Sequence, residues 1–179
     1  MKKKPQTLWI TRTAVLLALL IVLQAATAPL GGTFVTGSIV NLMLILSVML
    51  GGLSSGITIA VLSPVLAKLL GIGPLWGLIP FIIAGNITIM IIWRFISQKI
   101  NKSQFAAYTA AAITAAFAKF AVLYFGIVRF AIPMLLDLPE PQAAIISGMF
   151  SVQQLFTALG GGAAAVMLLP ILKKIIKVP

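Results

Sequence analysis

The chain contains no cysteine and no histidine, and its only acidic residues are Asp137 and Glu140. Without cysteine there are no disulfides and no thiol nucleophiles. Without histidine there is no imidazole base and no histidine-based metal site. Two carboxylates leave almost no scope for paired-carboxylate catalysis or for a proton relay through membrane acids. Charged residues of both signs make up 8% of the chain, where a soluble domain carries about 25%.

Apolar surface is what the chain has in quantity. Of its 179 residues 61% are hydrophobic, and the mean hydropathy is +1.17. No soluble fold hides that much apolar surface from water, so the solvent is a bilayer. The net charge of +11 does not point to nucleic acid. The charges sit at the ends of apolar runs rather than in a basic stripe, and the positive-inside rule accounts for them. The start MKKKP followed by an apolar run imitates a signal peptide. Everything after it is apolar too, so it reads as a first membrane helix that stays attached.

The breaks in the apolar pattern predict six transmembrane helices in one all-α, polytopic domain over residues 1–179. Helix 1 is expected from about Leu8 to Ala28, closed by Pro29 and Gly31-Gly32. An uncharged outer loop, Gly31 to Gly37, follows. Helix 2 is expected from about Ser38 to Leu50, only ~20 Å long against a ~30 Å core. That shortness predicts either a tilted helix or an outer loop dipping toward a pocket. Gly51-Gly52 turns the chain into helix 3, about Leu53 to Leu70, where Pro64 predicts a kink. Gly71 to Pro74 turns it into helix 4, about Leu75 to Ser97. Helix 5 is expected from about Ser103 to Ala131, and helix 6 as one piece from about Ala143 to Leu172. Ten of the thirteen basic residues then fall on one side, with Lys2, Lys3, Lys4 and Arg12 at one terminus and Lys173, Lys174 and Lys177 at the other. Both termini are therefore expected in the cytoplasm and both acids outside. Trp9, Trp76 and Trp93 are read as interface anchors, and Tyr108 as structural.

Polar residues inside these helices are few, and helix rise gives their depth. Asn86 is expected roughly 16 Å below the outer surface and Lys119 roughly 24 Å above the inner one. Thr36, Asn41, Tyr124, Gln153 and Thr157 fall in the same outer half, with Gln153 and Thr157 on one helical face. A lysine that deep costs on the order of 3 kcal/mol unless something pairs with it. No acid lies at its depth, unless Asp137 or Glu140 folds down from the outer loop. An anionic ligand, or water in a cavity, is the other partner available. Lys68 and Arg129 have two readings, facing the same ligand or snorkelling to outer headgroups. Asn86 and Gln153 also have two, ligand contact or helix–helix glue.

Six short-looped helices, the start TAVLLALL with its Ala14/Ala18 pair, and TGSIVN followed by the GG turn and GIGPLW…IPFIIAGN together resemble, over essentially the whole chain, the S components of energy-coupling factor (ECF) transporters. The resemblance implies a substrate-capture subunit in the bacterial cell membrane that binds a vitamin or related micronutrient at the outer face. It further implies partnership with a transmembrane coupling (T) subunit and two cytosolic ATPases, which hydrolyse the ATP. Ala14 and Ala18 would then contact the coupling subunit, and Gly31 to Gly37 would gate the pocket. The absence of histidine argues against the nickel- and cobalt-handling branch. The substrate-binding set expected is Thr36, Asn41, Lys68, Asn86, Lys119, Tyr124, Arg129, Gln153 and Thr157, with no cofactor, no metal, no catalytic residue and no nucleic-acid partner. The lysine and arginine side chains favour a small anion over a corrinoid. The alternative is a stand-alone secondary transporter of a small organic solute, which would carry internal repeats and a coupling-ion site that the sequence does not display.

Overall fold

The computed structural model describes residues 6–30, 33–73, 75–100 and 103–176. Lys2, Lys3, Lys4, Gly31, Gly32, Pro74, Lys102 and Lys177 lie outside the described residues. Every regular element among the described residues is helical: α1 Gln6–Thr27, α2 Thr33–Gly51, α3 Leu53–Leu69, α4 Ile79–Lys99, α5 Gln104–Leu123, α6 Ile132–Met134, α7 Glu140–Met149 and α8 Val152–Ile176. A π-helical stretch, Tyr124–Ala131, joins α5 to α6 without interruption. Five helical segments are long and apolar enough to cross a membrane, and α3 is a shorter apolar helix of 17 residues. The outward faces match a lipid solvent. Val15, Val22, Phe95, Phe117, Phe125 and Met167 are all exposed, while most buried polar groups lie between helices.

Two boundaries and the placement of one tryptophan differ from the sequence expectation. Helix α2 begins at Thr33, so it has 19 residues and spans ~28 Å. The stretch Thr33 to Gly37 is its first turn rather than a dipping loop. Gly37 is there for space and not for a bend: a Cβ on it would stand 2.8 Å from Thr157 Cγ2 of α8. The single sixth helix is in fact two, α7 and α8, interrupted at Phe150 and Ser151. The interruption lets Phe150 bury its ring beside Leu123 and Ile127. Trp93 is fully buried in the core rather than at an interface. It packs 6.1 Å from Tyr108, over the space left by Gly162. The two glycine turns stand as read. Gly52 (φ 89°) and Gly71 (φ 77°) adopt left-handed conformations that a Cβ disfavours.

The bundle is drawn together by small residues. In lipid, helices gain little from hiding apolar side chains, so close backbone approach has to supply dispersion contact. Helix α8 carries Gly160, Gly161 and Gly162 for this purpose. A Cβ on Gly161 would meet Ser38 O of α2 at 2.5 Å, and one on Gly162 would meet Ala112 Cβ of α5 at 3.0 Å. Helix α5 answers with Ala107, Ala111, Ala112, Ala115 and Ala116, all buried. The pairs α4–α5, α2–α8 and α5–α8 are accordingly the most intimate.

Two apolar clusters result. The larger contains Leu44, Ile45, Ile89, Met90, Trp93, Ala115 and Leu169. The smaller contains Leu78, Leu123, Ile127, Ala131, Ile146 and Phe150. Along α5 and its π-helical continuation the inward positions run Ala111, Ala115, Lys119, Leu123, Ile127 and Ala131, a strict period of four. An α-helix of 3.6 residues per turn would rotate such a stripe off the core. The wider π turns in its second half bring it back. Lys119 is the one polar member of that stripe, between the larger cluster and the smaller.

Gly161→Ala is expected to destabilise the detergent-purified chain by about 2 kcal/mol or more, because the clash is with backbone. Gly148→Ala, where an added Cβ meets nothing within 4 Å, is expected to be neutral or to stabilise by up to about 1 kcal/mol. Thermal unfolding followed by tryptophan fluorescence compares the two; equal effects would refute the packing role given to Gly161.

Candidate functional site

The seam between the two clusters is where the polar residues meet. Lys119 is buried, and its Nζ donates to Asn41 Oδ1 of α2 at 2.6 Å and to Asn86 Oδ1 of α4 at 2.9 Å. Asn41 Nδ2 in turn points to Thr157 Oγ1 of α8 at 3.4 Å, and that hydroxyl donates to Gln154 O at 3.0 Å. An ammonium has no acceptor, so both asparagines must turn their carbonyl oxygens to it. Four helices thus each give one side chain to a single buried cluster.

Local sequence explains each placement. Asn41 is one turn beyond Gly37, on the face of α2 that lies against α8; its Cβ would be 2.7 Å from a Cβ on Gly161. Asn86 follows Gly85, whose missing side chain is filled by Leu123 of α5 at 2.9 Å. That approach brings Asn86 beside Lys119, one turn before Leu123. Thr157 sits one turn before Gly161 on the same face of α8.

The cluster opens onto a cavity of about 480 Å³, within the ~300–1,000 Å³ typical of small-molecule sites. Its polar wall comprises Gln24, Thr33, Thr36, Asn41, Ser63, Asn86, Lys119, Gln153, Gln154 and Thr157, and its apolar wall includes Val40, Ala67, Ile82, Leu123, Met149 and Phe150. Gln153 of α8 donates to Thr33 of α2, bridging the two helices beside the cavity. Ser63 of α3 is buried in the wall, and its hydroxyl has no partner among the described residues.

Of the expected set, Thr36, Asn41, Asn86, Lys119, Gln153 and Thr157 line this one cavity. Lys68, Tyr124 and Arg129 do not. Lys68 lies half-buried in the last turn of α3. Tyr124 stacks on Phe120 at 5.6 Å and receives the exposed Arg129 guanidinium over its ring at 5.4 Å. Period four explains their exclusion: the inward stripe carries Leu123 and Ile127 past them. Asp137 and Glu140 are exposed and take no part in the cavity wall, so neither folds down to Lys119. Among the described residues no group of three or more candidate ligands could hold a metal ion.

Gln24, Thr33, Ser63 and Gln154 were not foreseen. The signal existed for two of them: Gln24 is a lone amide in the last turn of an apolar helix, and Ser63 lies on the small-residue face of α3 with Ala60 and Ala67. The chain matches no known protein family, no curated protein sequence and no solved structure.

Asn41→Leu removes an acceptor from a buried cation and is expected to destabilise by about 2–4 kcal/mol. In a Lys119→Met background the same substitution is expected to cost well under half as much. A double-mutant cycle on thermal or denaturant unfolding measures the difference; additive effects would break the proposed coupling.

Proposed function

We propose that this chain is the substrate-capture subunit of an ECF-type importer in the bacterial cell membrane, binding a small anionic micronutrient of vitamin type. The observation that carries this reading is the cavity with one buried cation and no carboxylate to neutralise it. Six crossings with both ends in the cytoplasm agree with the distribution of Lys and Arg. The cavity then belongs to the outer half of the membrane, since it joins the end of α1 to the starts of α2 and α8.

Delivery needs partners, because the sequence carries no nucleotide-binding motif. Helix α1 has the surface for one. Ala14 and Ala18 lie on its exposed side together with Val15, Leu19 and Val22, a smooth strip that a coupling helix can approach closely. Its inner end is tied to α3 by hydrogen bonds of Thr13 to Ser55 at 2.7 Å and of Trp9 to Ser54 at 3.0 Å. Docking on α1 would therefore act on the bundle as a body.

Ala14→Trp or Ala18→Trp is expected to abolish co-purification with a coupling subunit and its ATPases while leaving ligand capture intact. Lys119→Ala is expected to do the reverse, lowering capture by about tenfold or more. Pull-down and radioligand uptake in cells expressing the complete transporter read both. Normal ATP-driven uptake by the tryptophan variants would remove the docking face, and uptake driven by an ion gradient without ATPases would favour the secondary transporter.

A further inference from the structure

The hydrogen-bond directions in the cavity say which end of a ligand enters it. Lys119 spends two of its three N–H groups on Asn41 and Asn86. Asn86 turns its oxygen to the lysine, so its Nδ2 faces away, and no group among the described residues accepts from it. Asn41 Nδ2 is committed to Thr157. What remains unspent at this end of the cavity is one N–H of a cation and an amide NH₂. Both are donors, and Asn86 is itself buried.

A set of donors only selects an acceptor-only group. The charge count selects further. Among the described residues Lys119 is the only charged one in the cavity wall, so one negative charge is balanced there and a second would stand unpaired in a low-dielectric site. Val40, Ile82, Leu123, Met149 and Phe150 cover the adjoining walls and favour an uncharged body.

We infer that the cavity seats a monocarboxylate: its carboxylate bridges Lys119 Nζ and Asn86 Nδ2, and a neutral, mostly apolar body lies along Val40, Ile82, Leu123, Met149 and Phe150. This rests on the capture reading above and narrows it. A dianion, a phosphate monoester or a neutral amide would each mismatch the seat, the first two in charge and the last in presenting donors to donors.

The test exposes the full-length, detergent-purified chain to a small-molecule yeast extract. A parallel sample receives the same extract after its carboxylates have been converted to methylamides. Bound species are released after washing and identified by mass. A monocarboxylate retained from the untreated extract, and lost from the amidated one, is the expected result. Asn86→Asp supplies a carboxylate to Lys119 from within and keeps the side-chain size; it is expected to fold normally and to lower retention by about tenfold or more.

Retention of a dianion or a neutral compound, or equal retention from the amidated extract, would overturn the inference and leave capture standing. So would undiminished retention by Asn86→Asp. Nothing retained from either extract would overturn the capture reading and this inference together. A fatty acid carried through purification would support the carboxylate seat and overturn capture of a water-soluble solute.

Discussion

A lysine inside a lipid-embedded bundle has to be held, and most of this structure follows from how Lys119 is held. Its two neutral acceptors come from α2 and α4, and a threonine of α8 steadies one of them. Uncharged acceptors satisfy the lysine's hydrogen bonds without cancelling its charge. A carboxylate in their place would have formed a closed ion pair with nothing left for a ligand. The arrangement leaves a positive site with spare donors, facing a cavity walled largely by apolar side chains.

Such a cluster is only as good as the spacing of the helices around it. That spacing is set by residues with almost no side chain. Gly37 and Gly161 bring α2 against α8, Gly162 and Ala112 bring α8 against α5, and Gly85 admits Leu123 between α4 and α5. The first and last of these contacts lie within one turn of a member of the polar cluster. Close packing here sets position as much as stability, since a displacement of an ångström would separate an ammonium from its acceptors. The π-helical stretch after Leu123 serves the same end, keeping Leu123, Ile127 and Ala131 on the stripe that begins with the alanines of α5. The arrangement is consistent from level to level. Small residues set the distances, the distances permit the polar cluster, and the cluster shapes what the cavity can accept.

The sequence was legible where lipid imposes a simple rule. Apolar runs separated by Gly51-Gly52 and Gly71 to Pro74 placed the turns, because a left-handed residue between helices leaves few choices besides glycine. Depth along each helix was legible too, and it brought Asn41, Asn86, Lys119 and Thr157 to one level. It misled at Thr33 to Gly37, where two threonines and a glycine resemble a loop but satisfy the spacing against α8. It misled again at Phe150, since nothing in an apolar run marks where a helix yields to bury one ring in a second cluster. Tyr124 and Arg129 were at a plausible depth, yet they stand in the π-helical stretch off the inward stripe and pair with each other.

By itself, then, the sequence determined the solvent, the helical class, the main turns and the height of each polar residue, because these depend on composition and on distance along a helix axis. The tertiary structure alone decided rotation and pairing. Which way each helix faces depends on contacts with neighbours far along the chain, such as Gly37 with Thr157 or Gly85 with Leu123. Those contacts chose neutral amides rather than acids for Lys119, kept Lys68 and Arg129 out of the cavity, and brought Ser63 into it.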